Sequence, residues 1–225
     1  MRWKNHYVIC GYSFKAKNIA EELVVDQPGV NIVLLAAYEE NPLPDLPEVK
    51  FVQGDITDEN SLQKANVARA GNVIILAEDN IPEQSADARS VLATLTIRHM
   101  NPDCWISAEA LHPKNEQHLR RAGANEVVCT GEISSRLLVQ SNVRQYAVEF
   151  LRELLTSKKG NEIYEAELLP ELCGKAFQEA LQEIYQRKGI LLGVARQEEL
   201  LINPVSGVRL QEGDILIYLA EERIF

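Results

Sequence analysis

Short apolar runs alternate with helix-length amphipathic stretches through the first two thirds of the chain. A parallel sheet with helices on its faces produces that rhythm, because its strands are buried on both sides and its helices on one. The apolar runs predict strands over 7–10, 31–36, 50–53, 72–77, 104–108 and 126–129. Helices are expected over 14–25, 60–65, 83–99 and 113–122, and from Glu132 onward. Local signals mark several boundaries: Asp58 and Ser61 suit a helix start, Gly123 a helix stop, and Asn101-Pro102 a break. Six strands in this order complete a doubly wound, Rossmann-like α/β domain.

After about residue 145 the rhythm changes. A charged amphipathic helix over 147–157 runs into the polar stop Lys158-Lys159-Gly160-Asn161. A strand over 162–168 follows, then a helix between Gly174 and Gly189, then strands over 190–196, 199–202 and 214–219. Asn203-Pro204, Ser206-Gly207 and Glu212-Gly213-Asp214 punctuate these pieces as turns. The expected organisation is a Rossmann-like lobe over 1–140, linking helices and a crossover over 141–160, and a small α+β lobe over 161–225.

Composition narrows the function classes. At 225 residues and 46% hydrophobic, the chain can supply a core to each lobe. Lysine and arginine number 23 against 33 acids, and the net charge of −10 argues against a surface built for nucleic acid or anionic lipid. The four cysteines are far apart and form no C-x-x-C pair, so neither a zinc site nor a redox pair is expected. No run reaches the roughly 18 to 20 apolar residues a bilayer span needs, and Met1 opens no signal-peptide core. A soluble cytosolic chain is expected. The sequence holds no G-x-S-x-G, no Walker A lysine loop and no cysteine–histidine nucleophile pattern, so no enzyme is expected. His112, Glu116 and His118 lie close together but lack a further ligand on another element, which favours a solvated surface.

The candidate chemistry gathers where the strands end. A dinucleotide fingerprint needs three glycines in the first strand-to-helix turn and an acid at the end of the second strand. Here the turn reads Gly11-Tyr12-Ser13-Phe14-Lys15-Ala16, and strand two ends at Ala36-Ala37-Tyr38-Glu39. The helix start still offers backbone N–H groups to an anion, with Lys15 or Lys17 adding charge. Candidate ligand-binding residues are therefore Gly11, Tyr12, Ser13, Phe14, Lys15, Asp55 and Glu78. Asp55 either accepts from a ligand's sugar or base or caps the turn into Thr57 and Asp58. Asp79 and Glu109 are candidate cation ligands, set against a reading as a solvated acidic edge.

Several of these segments, taken in order, resemble RCK domains, also called KTN domains. They are the run Val8 to Ser13, Phe51-Val52-Gln53-Gly54-Asp55-Ile56-Thr57, Leu62 to Val67, Ala77-Glu78-Asp79, Ser107-Ala108-Glu109, Leu119 to Val127, Ser134 to Leu138, Leu201-Ile202-Asn203-Pro204 and Glu212 to Leu216. The resemblance implies a cytosolic ligand-sensing domain that gates a potassium channel from the inner face of the membrane, touching the membrane only through the pore. It implies a homo-oligomer, a dimer or an octameric ring. Ser13 in the turn looks closer to channel-type members than to the regulatory subunits of Trk and Ktr transporters, which stand as the nearer alternative. An NAD(P)-dependent oxidoreductase is the alternative from another class. In the calcium-gated members, an aspartate and two glutamates bind the cation, and the matching positions here are Leu76, Glu109 and Leu111. That cluster is therefore expected to be absent, leaving a nucleotide (NAD, ADP or ATP) or a divalent cation held elsewhere as the ligand.

Overall fold

The first six apolar runs pair side by side as the pattern requires. In the computed structural model they form β1 (Tyr7–Cys10), β2 (Ile32–Ala36), β3 (Val49–Gln53), β4 (Asn72–Ile75), β5 (Trp105–Ala110) and β6 (Glu126–Cys129). Their order is β3-β2-β1-β4-β5-β6, parallel throughout, and the order in which the chain adds strands switches sides between β1 and β4. The structure describes residues 3–144, 146–156, 160–197, 199–204 and 207–225. Met1, residue 157, Lys158-Lys159 and Ser206, which figure in the sequence expectations, lie outside them.

The helices sort onto the two faces by their apolar stripes. α1 (Lys15–Asp26) lays Ala16 and Ala20 on Ile9, Ile32 and Leu34. On the other face, α2 (Glu59–Lys64), α3 (Glu83–Met100) and α4 (Glu116–Ala122) bring Leu62, Ala93, Ile97 and Leu119 against Val8, Val33, Val73 and Ile106. Asp58 caps α2, accepting from Ser61 N at 2.9 Å, and Gly123 ends α4 in the left-handed region. Arg98, near the end of α3, donates to the carbonyls of Pro102, Cys104 and Gly123 and to Asn125 Oδ1, fixing the loops at the amino edge of the sheet.

Three elements differ from expectation at the carboxyl edge. β4 stops at Ile75 because Ala77 N turns from the ladder to a side chain, Glu109 Oε2, at 3.3 Å. β5 runs on to Ala110, paired with Cys129, so that Glu109 is a strand residue. The expected helix over 113–122 opens as a 3-10 turn, Pro113–Asn115, held by the buried Asp87 carboxylate, which accepts from Leu111 N, His112 N and Asn115 Nδ2. α5 (Thr130–Val143) follows β6 directly.

The chain divides into two compact units, Met1–Val143 and Arg144–Phe225. The second holds α6 (Ala147–Leu154), β7 (Glu162–Glu167), α7 (Phe177–Gln186), β8 (Ile190–Arg196), β9 (Glu199–Ile202) and β10 (Ile215–Ala220). Its strands form an antiparallel sheet in the order β7-β10-β8-β9, and α7 buries Phe177, Ala180 and Ile184 against Val194, Leu216 and Tyr218. Asp214, at the turn before β10, is buried and pairs with Arg196 through two 2.8 Å bonds. The Arg196 bond holds its carboxyl below the usual carboxylate range against the opposing effect of burial.

Candidate functional site

The carboxyl ends of β1, β3, β4 and β5 meet beside the topological switch point, where open α/β sheets place their ligands. Gly11 makes the turn out of β1 with φ +88°, and a β-carbon there would lie 2.6 Å from Leu76 O. Only glycine satisfies both constraints. Glu78 lies against the same turn, its Cγ 3.3 Å from that β-carbon position. Tyr12 packs edge-on to Tyr38, with ring centroids 5.1 Å apart. Ser13 is buried; its carbonyl accepts from Ala16 N at 2.9 Å and its Oγ from Lys15 N at 3.4 Å. Serine thus holds the first turn of α1, and Ala16 supplies the close packing of helix on sheet.

Three charged contacts tie the strand ends together. Phe14 N–H donates to Asp79 Oδ2 at 2.7 Å, Lys15 Nζ pairs with Glu109, and Arg89 bridges Glu78 at 2.8 Å and Asp55 at 3.0 Å. Asp55 Oδ1 also accepts from Thr57 N and Thr57 Oγ1, each at 2.7 Å. Partial burial opposes ionisation of Asp55, but these donors and Arg89 outweigh it and hold the carboxyl below its ordinary range. Burial likewise works against the charge on Arg89, and its two carboxylates more than offset that, raising its pKa. Beside the Lys15–Glu109 pair lies an apolar cavity of about 170 Å3, walled by Ile19, Ile74, Leu76, Ala108 and Val128.

The structure therefore brings Gly11, Phe14, Lys15, Glu78, Asp79 and Glu109 to one edge, together with Asp55, which caps its own turn and also faces Arg89. Arg89 was not singled out from the sequence. Its available signal was position: it sits on α3 between the buried Asp87 and Ser90, on a helix that follows the acids of the loop after β4. Among the described residues, no group of three or more His, Cys, Asp or Glu side chains is placed to hold a metal ion. Asp79 and Glu109 each face a different donor, and His112 Nδ1 accepts from Lys114 N at 3.3 Å.

Residues 7–130, more than half of the chain, match the TrkA-N domain. The chain belongs to the TrkA-N family. Residues 131–224 match a second model, described as Castor and Pollux, part of voltage-gated ion channel. The calcium-gated potassium channel TvoK of Thermoplasma volcanium is 30% identical over 225 residues, an alignment spanning 99% of this chain and 64% of that protein. The human SLO3 gating ring shares the fold at a TM-score of 0.77 and 19% identity, over 97% of this chain and 44% of the other. The GsuK channel bound to NAD does so at a TM-score of 0.53 and 22% identity, over 100% of this chain and 37% of the other. The RCK resemblance of the sequence is borne out, and the TrkA-N lobe occupies the half of the chain that carries the charged strand edge.

Proposed function

We propose that this chain is the cytosolic ligand-sensing domain of a potassium channel and that its ligand is a nucleotide bound at the carboxyl edge of the TrkA-N lobe. The observation that carries the reading is the alignment with TvoK, which runs through both lobes and leaves the remaining 36% of that channel's length unaligned. The ion-channel model over the second lobe supports a channel over a transporter subunit. The NAD-bound GsuK structure, alike in fold, supports a nucleotide at this edge.

The turn at Gly11 to Lys15 would receive phosphates on the backbone at the start of α1, with Lys15 beside them. Asp55 and Glu78 lie on the side of β3 and β4, where sugar hydroxyls or base amines would find acceptors. A second copy of this chain would cover the exposed apolar face of α5. Gating then follows from differential affinity: a ligand that prefers one arrangement of the assembled domains shifts the population by that preference and no further. A thermal-shift series with NAD, NADH, ADP, ATP, calcium and magnesium tests the ligand class. At least one nucleotide is expected to raise the melting temperature in a concentration-dependent way. No shift with any of the four nucleotides would overturn this assignment.

A further inference from the structure

The start of α1 already holds an anion, and the chain itself provides it. Phe14 N–H donates at 2.7 Å to Asp79 Oδ2, a carboxylate that arrives from the loop after β4, 65 residues further along the chain. The backbone at a helix N-terminus carries partial positive charge and takes a carboxylate for the same reason it takes a phosphate. The neighbouring cations are occupied too, Lys15 by Glu109 and Arg89 by Glu78 and Asp55.

These carboxylates differ in how readily they can leave. Glu78 and Glu109 are only 6% and 5% exposed, and Thr57 pins Asp55 with two bonds. Asp79 is exposed and lies on a loop. Released, Asp79 returns to water, whereas releasing Glu78 or Glu109 would break the ion pair of a buried carboxylate.

We infer that Asp79 sets the affinity of this edge for phosphate-bearing ligands by competing with the phosphate for the start of α1. The inference rests on the nucleotide reading above. Seated, Asp79 fills the place of the anion; displaced, it still repels the arriving charge from close by. Binding is then an exchange, and it has a mechanical side. Asp79 lies four residues before Glu83, the first residue of α3, so its release frees the loop that anchors the helix carrying Arg89. A ligand without phosphate, such as adenosine, has no part in the exchange.

Calorimetric titration of ADP and adenosine into the wild type and the variants Asp79→Ala, Asp79→Asn and Asp103→Asn tests this. Asp103 lies at the opposite, amino edge of the sheet, so its variant removes one charge from the same lobe without touching the exchange. Asp79→Ala is expected to bind ADP roughly threefold to tenfold more tightly than wild type, with Asp79→Asn between them. Adenosine affinity in all variants, and ADP affinity in Asp103→Asn, are expected to stay within about twofold of wild type. ADP binding by Asp79→Ala with no detectable wild-type binding would also support the exchange. Equal or weaker ADP binding by Asp79→Ala, beside a wild type that binds, would overturn the inference alone. An equal gain in Asp103→Asn would do the same by reducing the effect to net charge. ADP binding by neither wild type nor Asp79→Ala would overturn the nucleotide reading and this inference with it.

Discussion

At the scale of single residues, Gly11 and His6 make the clearest demands. Gly11→Ala meets both a left-handed backbone and a carbonyl oxygen 2.6 Å from the new β-carbon, whereas Gly29, with φ +85° and open space around it, meets the backbone strain alone. Urea unfolding is expected to show a loss of at least about 2 kcal/mol for Gly11→Ala and roughly 1 kcal/mol for Gly29→Ala. Equal losses would mean that the close approach to Leu76 carries no energy. His6 is buried, with Nε2 bonded to Ala65 O at 3.1 Å and Nδ1 without a hydrogen-bond partner among the described residues. Burial pushes its pKa below the ordinary value, with the Ala65 bond opposing. The unfolded chain therefore takes up this proton near pH 6.5 while the folded chain resists, so stability falls as pH drops below about 6.5 until the folded pKa is reached. The lowered carboxyls of Asp55 and Asp214 act in a separate window, their stabilisation fading as pH falls below about 3.8. Urea midpoints between pH 7 and 5 are expected to decline in wild type and to flatten in His6→Gln; an unchanged slope would contradict this account. Site residues were legible where chemistry follows from the backbone, as at Gly11 and Lys15. Arg89 was not legible, because a helix arginine is by default a solvated one and its bridge joins positions 34 and 11 residues away.

At the scale of elements, periodicity carried most of the reading. β2 is buried at every position and reads as an unbroken apolar run, and β6 and β8 fall at the residues expected. The errors sit where a side chain takes over a backbone partner, as Glu109 does for Ala77 N after β4 and Asp87 does before α4, and no local pattern encodes such long-range bonds. α5 is poorly accounted for by packing within its own lobe. None of its residues is buried, and Leu138, Val139 and Val143 are each 60% exposed or more. An apolar face of this kind is the mark of an interaction surface, and a second copy of this chain is the proposed occupant. Leu138→Asp places a charge on that face at a position that is 68% exposed in its own lobe. Light scattering is expected to show a smaller assembly for this variant than for wild type, with the melting profile of each lobe retained. An unchanged mass would remove α5 from the interface.

At the scale of the whole molecule, the chain forms two units with separate cores. The TrkA-N lobe gathers ionisable groups from four strand ends onto one edge, where each is already held by another part of the chain. In the proposed reading, a ligand arriving there exchanges contacts instead of filling open valences, and would thereby act on the loops that lead into α1 and α3. This is the physical form the proposed sensing takes: a modest binding energy spent on rearranging elements near the site. The order of the lobes and the parallel sheet were legible from the rhythm of the sequence; the mutual satisfaction of the edge was not, since it depends on which charges the fold brings together. The proposed role reaches past this chain, which spans 64% of its relative TvoK, so the decisive measurement belongs to the complete channel. Potassium flux through the pore-bearing protein reconstituted in liposomes, with ADP or NAD added at the face carrying this domain, is that measurement. Flux that changes with nucleotide in the wild type, and at lower ADP concentration in Asp79→Ala, is the expected result; potassium flux indifferent to every nucleotide that binds the isolated chain would contradict the account.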